Sequence, residues 1–357
     1  SPLDGVAMPE SPEPGPCSDY SRYLRWAGSA YAPWLPFSMA ASNEWVYATA
    51  REYGSASGSL HVFQPHADGS ADFGGTVSFP TQPQDVAVAG DYAYVALDNC
   101  LFAVDATDHV YPTIADVLPG FTSSFTSVAV SGQRLYATNE AGELRVVIMP
   151  TPDELSEFSC MQGLTDPWDV VVIDSLAYVA DGSSGLRVVK LPLAGTPTIM
   201  GTADTPDKAI AVAVEGNLAC VADMDGGLQV IDVTDPTSPY ILGNLPTTEP
   251  CKHVVVSNGM AYATGPLTFY AIDLADPTHP VIVKTTRVAG ALHDLAIWGQ
   301  SIYVAGEQPQ FSNWDVGAIH IIKLGSDYWL TSLGNIGTAG WACGVAVAGT
   351  RAYIADY

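Results

Sequence analysis

The chain has 357 residues, 48% of them hydrophobic, and sets 13 basic against 38 acidic side chains, for a formal net charge of −25. Such a balance excludes nucleic acid as a natural partner, because phosphates are met by clustered Lys and Arg, and it disfavours an anionic membrane surface. No apolar run is long enough for a membrane span, and Ser1-Pro2-Leu3-Asp4 lacks the basic and apolar regions that open a signal peptide. A mature extracellular, cell-surface or periplasmic chain is the expected setting.

Residues 1–19 contain five prolines and little that could pack, so they read as an extended Pro-rich tail. Residues 20–357 read as one domain. Within it a tyrosine recurs at Tyr47, Tyr94, Tyr136, Tyr178, Tyr262, Tyr303 and Tyr353, with Cys220 in the same slot between Tyr178 and Tyr262. From Tyr94 to Tyr262 every step is 42 residues, a period that marks a stacked repeat architecture.

Each unit opens on a short apolar run, such as Val86-Ala87-Val88 or Val212-Ala213-Val214. A turn of Gly, Asn or Asp follows, then the tyrosine strand. The residue two past the tyrosine slot is always small: Thr49, Ala96, Thr138, Ala180, Ala222, Thr264, Ala305 and Ala355. A third run such as Leu228-Gln229-Val230-Ile231-Asp232 leads through Asp235-Pro236-Thr237-Ser238-Pro239 into a fourth, Tyr240-Ile241-Leu242-Gly243. The runs are short, β-branched and bounded by turn formers, which predicts strands. Four antiparallel strands per forty-odd residues predict the blade of a β-propeller. The first run, apolar at successive positions, predicts the innermost strand, covered on both faces.

At these residues the chain resembles the LVIVD-repeat proteins, surface propellers of bacteria and archaea. The pattern is best kept at 169–189, 211–240 and 253–280. The resemblance implies the fold and carries no catalytic residue, because the motif is structural.

The expected architecture is all-β, an eight-bladed propeller of four-stranded antiparallel blades whose last blade is incomplete at the C-terminus. Seven blades with extra C-terminal strands is the alternative. Ser21-Arg22-Tyr23-Leu24-Arg25-Trp26-Ala27-Gly28 resembles a fourth strand and is expected to be the outer strand of the blade begun at Gly344. A third strand of that blade is then left to another segment or chain.

The six cysteines, Cys17, Cys100, Cys160, Cys220, Cys251 and Cys343, form no C-x-x-C motif and allow fifteen pairings. One or two bridges at most are expected, with Cys220 a small buried hydrophobe. No nucleophile elbow, zincin helix or P-loop motif is present. Asp223-Met224-Asp225-Gly226 resembles part of a calcium loop, making Asp223 and Asp225 candidate ligands for Ca2+ or another divalent metal, although an ordinary hairpin turn has the same composition.

The residue nine before each tyrosine slot should lie at one mouth of a central channel. Around the ring these are Ser38, Asp85, Ser127, Asp169, Ala211, His253, Asp294 and Gly344, with Trp168, Lys252, His293 and Trp341 beside them. Carboxylates and imidazoles gathered there could hold a ligand or metal, or act as an acid–base pair through His253, His293 and Asp294. The plainer alternative is that the carboxylates accept backbone amides of the next blade and tie the ring together. The long loop 306–317 carries Trp314, which with nearby carboxylates would suit a sugar or a cationic group. The predicted function is a secreted or cell-surface binding scaffold. Its contact surface would be the acidic loop face and the channel mouth, and its partner a protein or a glycan. A hydrolase or lyase at the mouth and a subunit of a larger surface assembly are the alternatives.

Overall fold

A computed structural model of the chain describes residues 35–42, 45–51, 57–65, 71–287, 292–298, 301–308, 316–324, 330–337, 342–348 and 351–356. All regular structure among them is β-strand, and no described helix is long and apolar enough to cross a membrane. The strands form seven four-stranded antiparallel sheets and one two-stranded sheet, each taking its strands in chain order.

Local sequence explains this order. The first two strands of a sheet are joined by a two-residue turn whose first residue has positive φ: Gly90 (62°), Gly132 (58°), Asp174 (54°), Gly216 (59°) and Asn258 (55°). Gly, Asn and Asp tolerate that conformation, and the turn matches the twist of the flanking strands. The third and fourth strands meet with a register shift in every four-stranded sheet, as at Val188/Val189 and Val230/Ile231. That extra residue bends the outer strand and increases its twist.

The first strands are Leu35–Ser42, Pro83–Ala89, Phe125–Ser131, Asp169–Ile173, Ala211–Glu215, His253–Ser257, Leu292–Trp298 and Ala342–Ala348. Each lies against the next, and Ala342–Ala348 touches both Leu292–Trp298 and Leu35–Ser42, so the circuit of contacts closes. Most positions of the described first strands are only half-buried, unlike the continuous cover that their apolar runs predict. One edge of each strand faces the space that the strands encircle.

The core is a succession of layers between sheets. One cluster joins Tyr47, Leu60 and Phe79 of the first sheet to Val86, Val95 and Phe102 of the second. Another joins Cys220, Leu228 and Val230 of the fifth to Val254, Tyr270 and Ile272 of the sixth. The second strands sit wholly within these layers, with Tyr94, Tyr136, Tyr178, Tyr262 and Cys220 all buried. Tyr94 reaches across a boundary to donate its hydroxyl to the Pro152 carbonyl at 3.0 Å.

The outer rim has its own lock. A Cβ on Gly201 would meet the Pro236 carbonyl at 2.5 Å and Pro239 at 2.4 Å, and one on Gly243 would meet the Pro277 carbonyl at 2.5 Å. Each glycine of a fourth strand thus receives the Asp-Pro-Thr-x-Pro turn of the following sheet. Those turns are set by their aspartates. Asp235 accepts the Thr237 amide at 2.9 Å and hydroxyl at 2.7 Å, and Asp276 does the same for Thr278.

Cys100, Cys160, Cys220 and Cys251 are free thiols, so the expected bridges do not form among these four. Cys220 and Cys251 are buried in one apolar layer, as a small hydrophobe would be. Cys17, the side chain of Cys343 and the segment 21–28 lie outside the described residues.

Candidate functional site

The mouth of the ring is built by the register of the first two strands. Asp85 pairs with Ala96, Asp169 with Ala180, Ala211 with Ala222 and His253 with Thr264. The small residue two past each tyrosine slot therefore stands opposite the residue at the mouth and leaves it room.

The two described carboxylates there, Asp85 and Asp169, are occupied. Asp85 Oδ2 accepts the Val128 amide of the next sheet at 2.8 Å. Its Oδ1 accepts the Val86 amide at 2.8 Å and the Ser38 hydroxyl at 2.7 Å. Asp169 Oδ2 accepts the Val212 amide of its next sheet at 2.9 Å. The expectation that these groups tie neighbouring blades is met at both residues. Burial raises both carboxyls. In Asp169 the backbone amides oppose that rise, the charge of Asp85 adds to it, and the result is about 6.

His253 occupies the same register in the sixth sheet and is half-buried. Trp168 stands one residue before Asp169 and is 50% exposed, held by its amide on the Ala180 carbonyl at 2.9 Å. The structure thus brings Asp85, Asp169, Trp168 and His253 to one end of the ring. His293 and Asp294 fall in the strand Leu292–Trp298, but their side chains, together with Trp314 and Trp341, lie outside the described residues.

The turns between second and third strands open on the same end and are equally tied. Asp181 is fully buried and accepts the Thr165 and Asp166 amides at 2.7 and 2.9 Å, with the Arg187 guanidinium at 3.2 Å. Asp223, also fully buried, takes the Thr205 hydroxyl at 2.6 Å and the Asp207 amide at 3.1 Å. Asp225 is exposed and donates its own amide to Asp207 at 2.9 Å. A metal at Asp223 would have to displace these bonds. Among the described residues no group of three or more His, Cys, Asp or Glu is placed to hold a metal ion.

Several ties went unread in the sequence. Glu215 accepts the Asn258 and Gly259 amides at 2.8 and 3.0 Å, and Arg134 donates to the Pro192 and Leu193 carbonyls at 2.8 and 2.5 Å. The signal was available for Glu215, which lies one repeat before its partners, like Asp85 and Asp169.

The model of the LVIVD repeat matches residues 82–116, 166–205, 206–247 and 339–357. The chain carries LVIVD repeats at these four stretches. No curated protein sequence matches it. Among solved structures, this chain is similar to the computationally designed Ika8 protein, with a TM-score of 0.71, 12% identity and coverage of 91% of this chain and 94% of that one. It is also similar to the WD40 beta propeller domain of Doa1, with a TM-score of 0.62, 11% identity and coverage of 86% and 98%. Sqt1 of Saccharomyces cerevisiae aligns with a TM-score of 0.58, 9% identity and coverage of 90% and 80%. At these identities the likeness is one of fold, and the fold is that of a β-propeller.

Proposed function

We propose that this protein is an eight-bladed recognition scaffold, working outside the cytoplasm, that receives a protein or glycan partner at the mouth marked by Trp168. The observation that carries this reading is the exposure of Trp168 on a rim whose carboxylates Asp85 and Asp169 are spent on backbone amides. A ring closed by such ties is rigid, and a rigid mouth with an aromatic platform binds without large ordering costs. The closed circuit of eight first strands supports the blade number. A hydrolase or lyase at the mouth would have to work through His253, His293 and Asp294, because Asp85 and Asp169 are both engaged in holding neighbouring sheets.

The test is a glycan array, and a parallel titration with poly-lysine, comparing the parent chain with Trp168→Ala. Binding of a sugar or of poly-lysine that falls at least tenfold in the variant supports the reading. Binding to neither probe, or binding indifferent to the substitution, overturns it.

A further inference from the structure

The outer strands of the sheets differ in what they present to solvent. Val281–Arg287 carries Lys284 and Arg287, and Ser156–Gln162 carries Glu157. Charges of this kind keep a sheet edge from pairing with other chains. Thr198–Ala203 and Tyr240–Leu245 carry no charge, and the outer strand of the second sheet, Thr113–Pro119, carries only Asp116. It exposes Ile114 and Val117, and the turn before it exposes Val110 and Tyr111, the last at 75%. Four of the nine exposed large hydrophobics among the described residues fall within positions 110–117, so the exposure is a patch and not scatter.

The patch lies along an edge. Thr113–Pro119 is the last strand of its sheet, and among the described residues no strand pairs with its outer side. Its one charged residue does not guard it. Asp116 turns its Oδ1 to the Val117 amide at 2.8 Å and its Oδ2 to the Leu155 amide of the next sheet at 2.7 Å. The surroundings of the strand's start are acidic. Asp108 caps the turn by accepting the Val110 and Tyr111 amides, and the exposed Asp153 and Glu154 adjoin Leu155. From residue 100 to residue 133 there is no Lys or Arg.

We propose that this edge docks an extended segment of another protein, apolar at alternate residues and flanked by Lys or Arg, which adds a fifth strand to the second sheet. Main-chain pairing supplies the register, Ile114, Val117 and Tyr111 supply the apolar contact, and the acidic turns beside the strand's start select a basic flank. A second copy of this chain is a poor occupant, because each molecule carries −25 and this edge has no Lys or Arg between residues 100 and 133 to offer its twin. The surface is separate from the mouth at Trp168 and does not depend on it.

The test is fluorescence anisotropy of the labelled peptides KKVTVTVKK and EEVTVTVEE with the full chain. The Lys peptide is expected to bind saturably, at least tenfold more tightly than the Glu peptide, and more weakly as salt screens its flanks. The double variant Ile114→Ser/Val117→Ser, whose side chains are exposed and whose melting curve reports an intact fold, should lose at least tenfold in affinity. Trp168→Ala should lose nothing. Absence of binding, equal binding of both peptides, or full binding by the double variant overturns the proposal. So does a concentration-dependent dimer in sedimentation equilibrium that the double variant abolishes, which assigns the edge to a second copy.

Discussion

The Asp85 carboxylate accepts the Val128 amide at 2.8 Å across the boundary between the second and third sheets, 43 residues further along the chain. Asp169 repeats the bond to Val212 at the same separation. Asp85→Ala strands both the Val128 and Val86 amides at a half-closed boundary. It is expected to cost about 1–3 kcal/mol, the penalty for leaving buried donors unmet. Urea denaturation of the two proteins measures it, and a change below about 0.5 kcal/mol would show that the bond carries no weight.

Acid should act on two buried groups in opposite senses. Asp169 is raised to about 6, so the folded state holds this proton more tightly than the unfolded state. Its contribution is complete below the ordinary carboxylate value and is lost as pH rises to about 6, roughly 3 kcal/mol in all. His61, bonded to Ser59 at 2.7 Å and Thr76 at 2.9 Å, is lowered by burial to about 4. Its contribution is present above the ordinary imidazole value and lost as pH falls to about 4, again roughly 3 kcal/mol. The two nearly cancel between pH 4 and 6.5. Asp169→Asn should therefore unmask a loss of stability on acidification, and His61→Gln a gain, in melting temperatures taken across that range. Parallel curves for both variants and the parent would sink this account.

Gly243→Ala places a methyl against the Pro277 carbonyl and the Pro280 ring, both fixed by their turn. Overpacking of this kind costs about 1–3 kcal/mol. Val281→Ala, an exposed change in the next outer strand, serves as the control and should stay within about 0.5 kcal/mol. Equal stabilities for the two variants would show that the rim contact is loose.

Asp223 and Asp225 separate a turn from a calcium site. Asp223→Ala removes a buried acceptor and should destabilise by about 1–3 kcal/mol with or without Ca2+, whereas Asp225→Ala should be close to neutral. Differential scanning fluorimetry in chelator and in millimolar Ca2+ reads both. A Ca2+-dependent stabilisation of the parent chain, lost in both variants, would restore the metal reading.

Burial pushes the Cys220 and Cys251 thiols up to about 12. Neither should react with a disulfide reagent at pH 8 in the native protein, and both should react in denaturant. Rapid native labelling at either position, read by peptide mass mapping, would contradict the packing of that layer.

The fold was legible because the repeat states it many times. The tyrosine slot, the small residue two further on and the positive-φ turn each recur at a fixed offset, and errors at one sheet are corrected by the others. Even the Cys220 substitution left the frame readable. The site was less legible because Asp is asked to do several jobs. Asp235 caps a turn, Asp181 braces a loop and Asp169 links two sheets, yet in sequence each is only an acidic residue at a strand end or turn. The expected bridges are not found among Cys100, Cys160, Cys220 and Cys251 for a related reason: Cys220 fills an apolar layer, and oxidation chemistry leaves no mark on spacing. The exposed edge at Ile114 and Val117 went unread because outward and inward apolar residues look alike until the neighbouring strand is known.

Among the described residues the ties between sheets reach to the next one, and the last described first strand lies against the first. The polypeptide's point of entry is then arbitrary as far as cohesion goes. Joining the original ends through a flexible linker and cutting instead at Gly216-Asn217, where a Cβ on Gly216 would meet nothing within 4 Å, should yield a circular permutant with its blades in rotated order and the same fold.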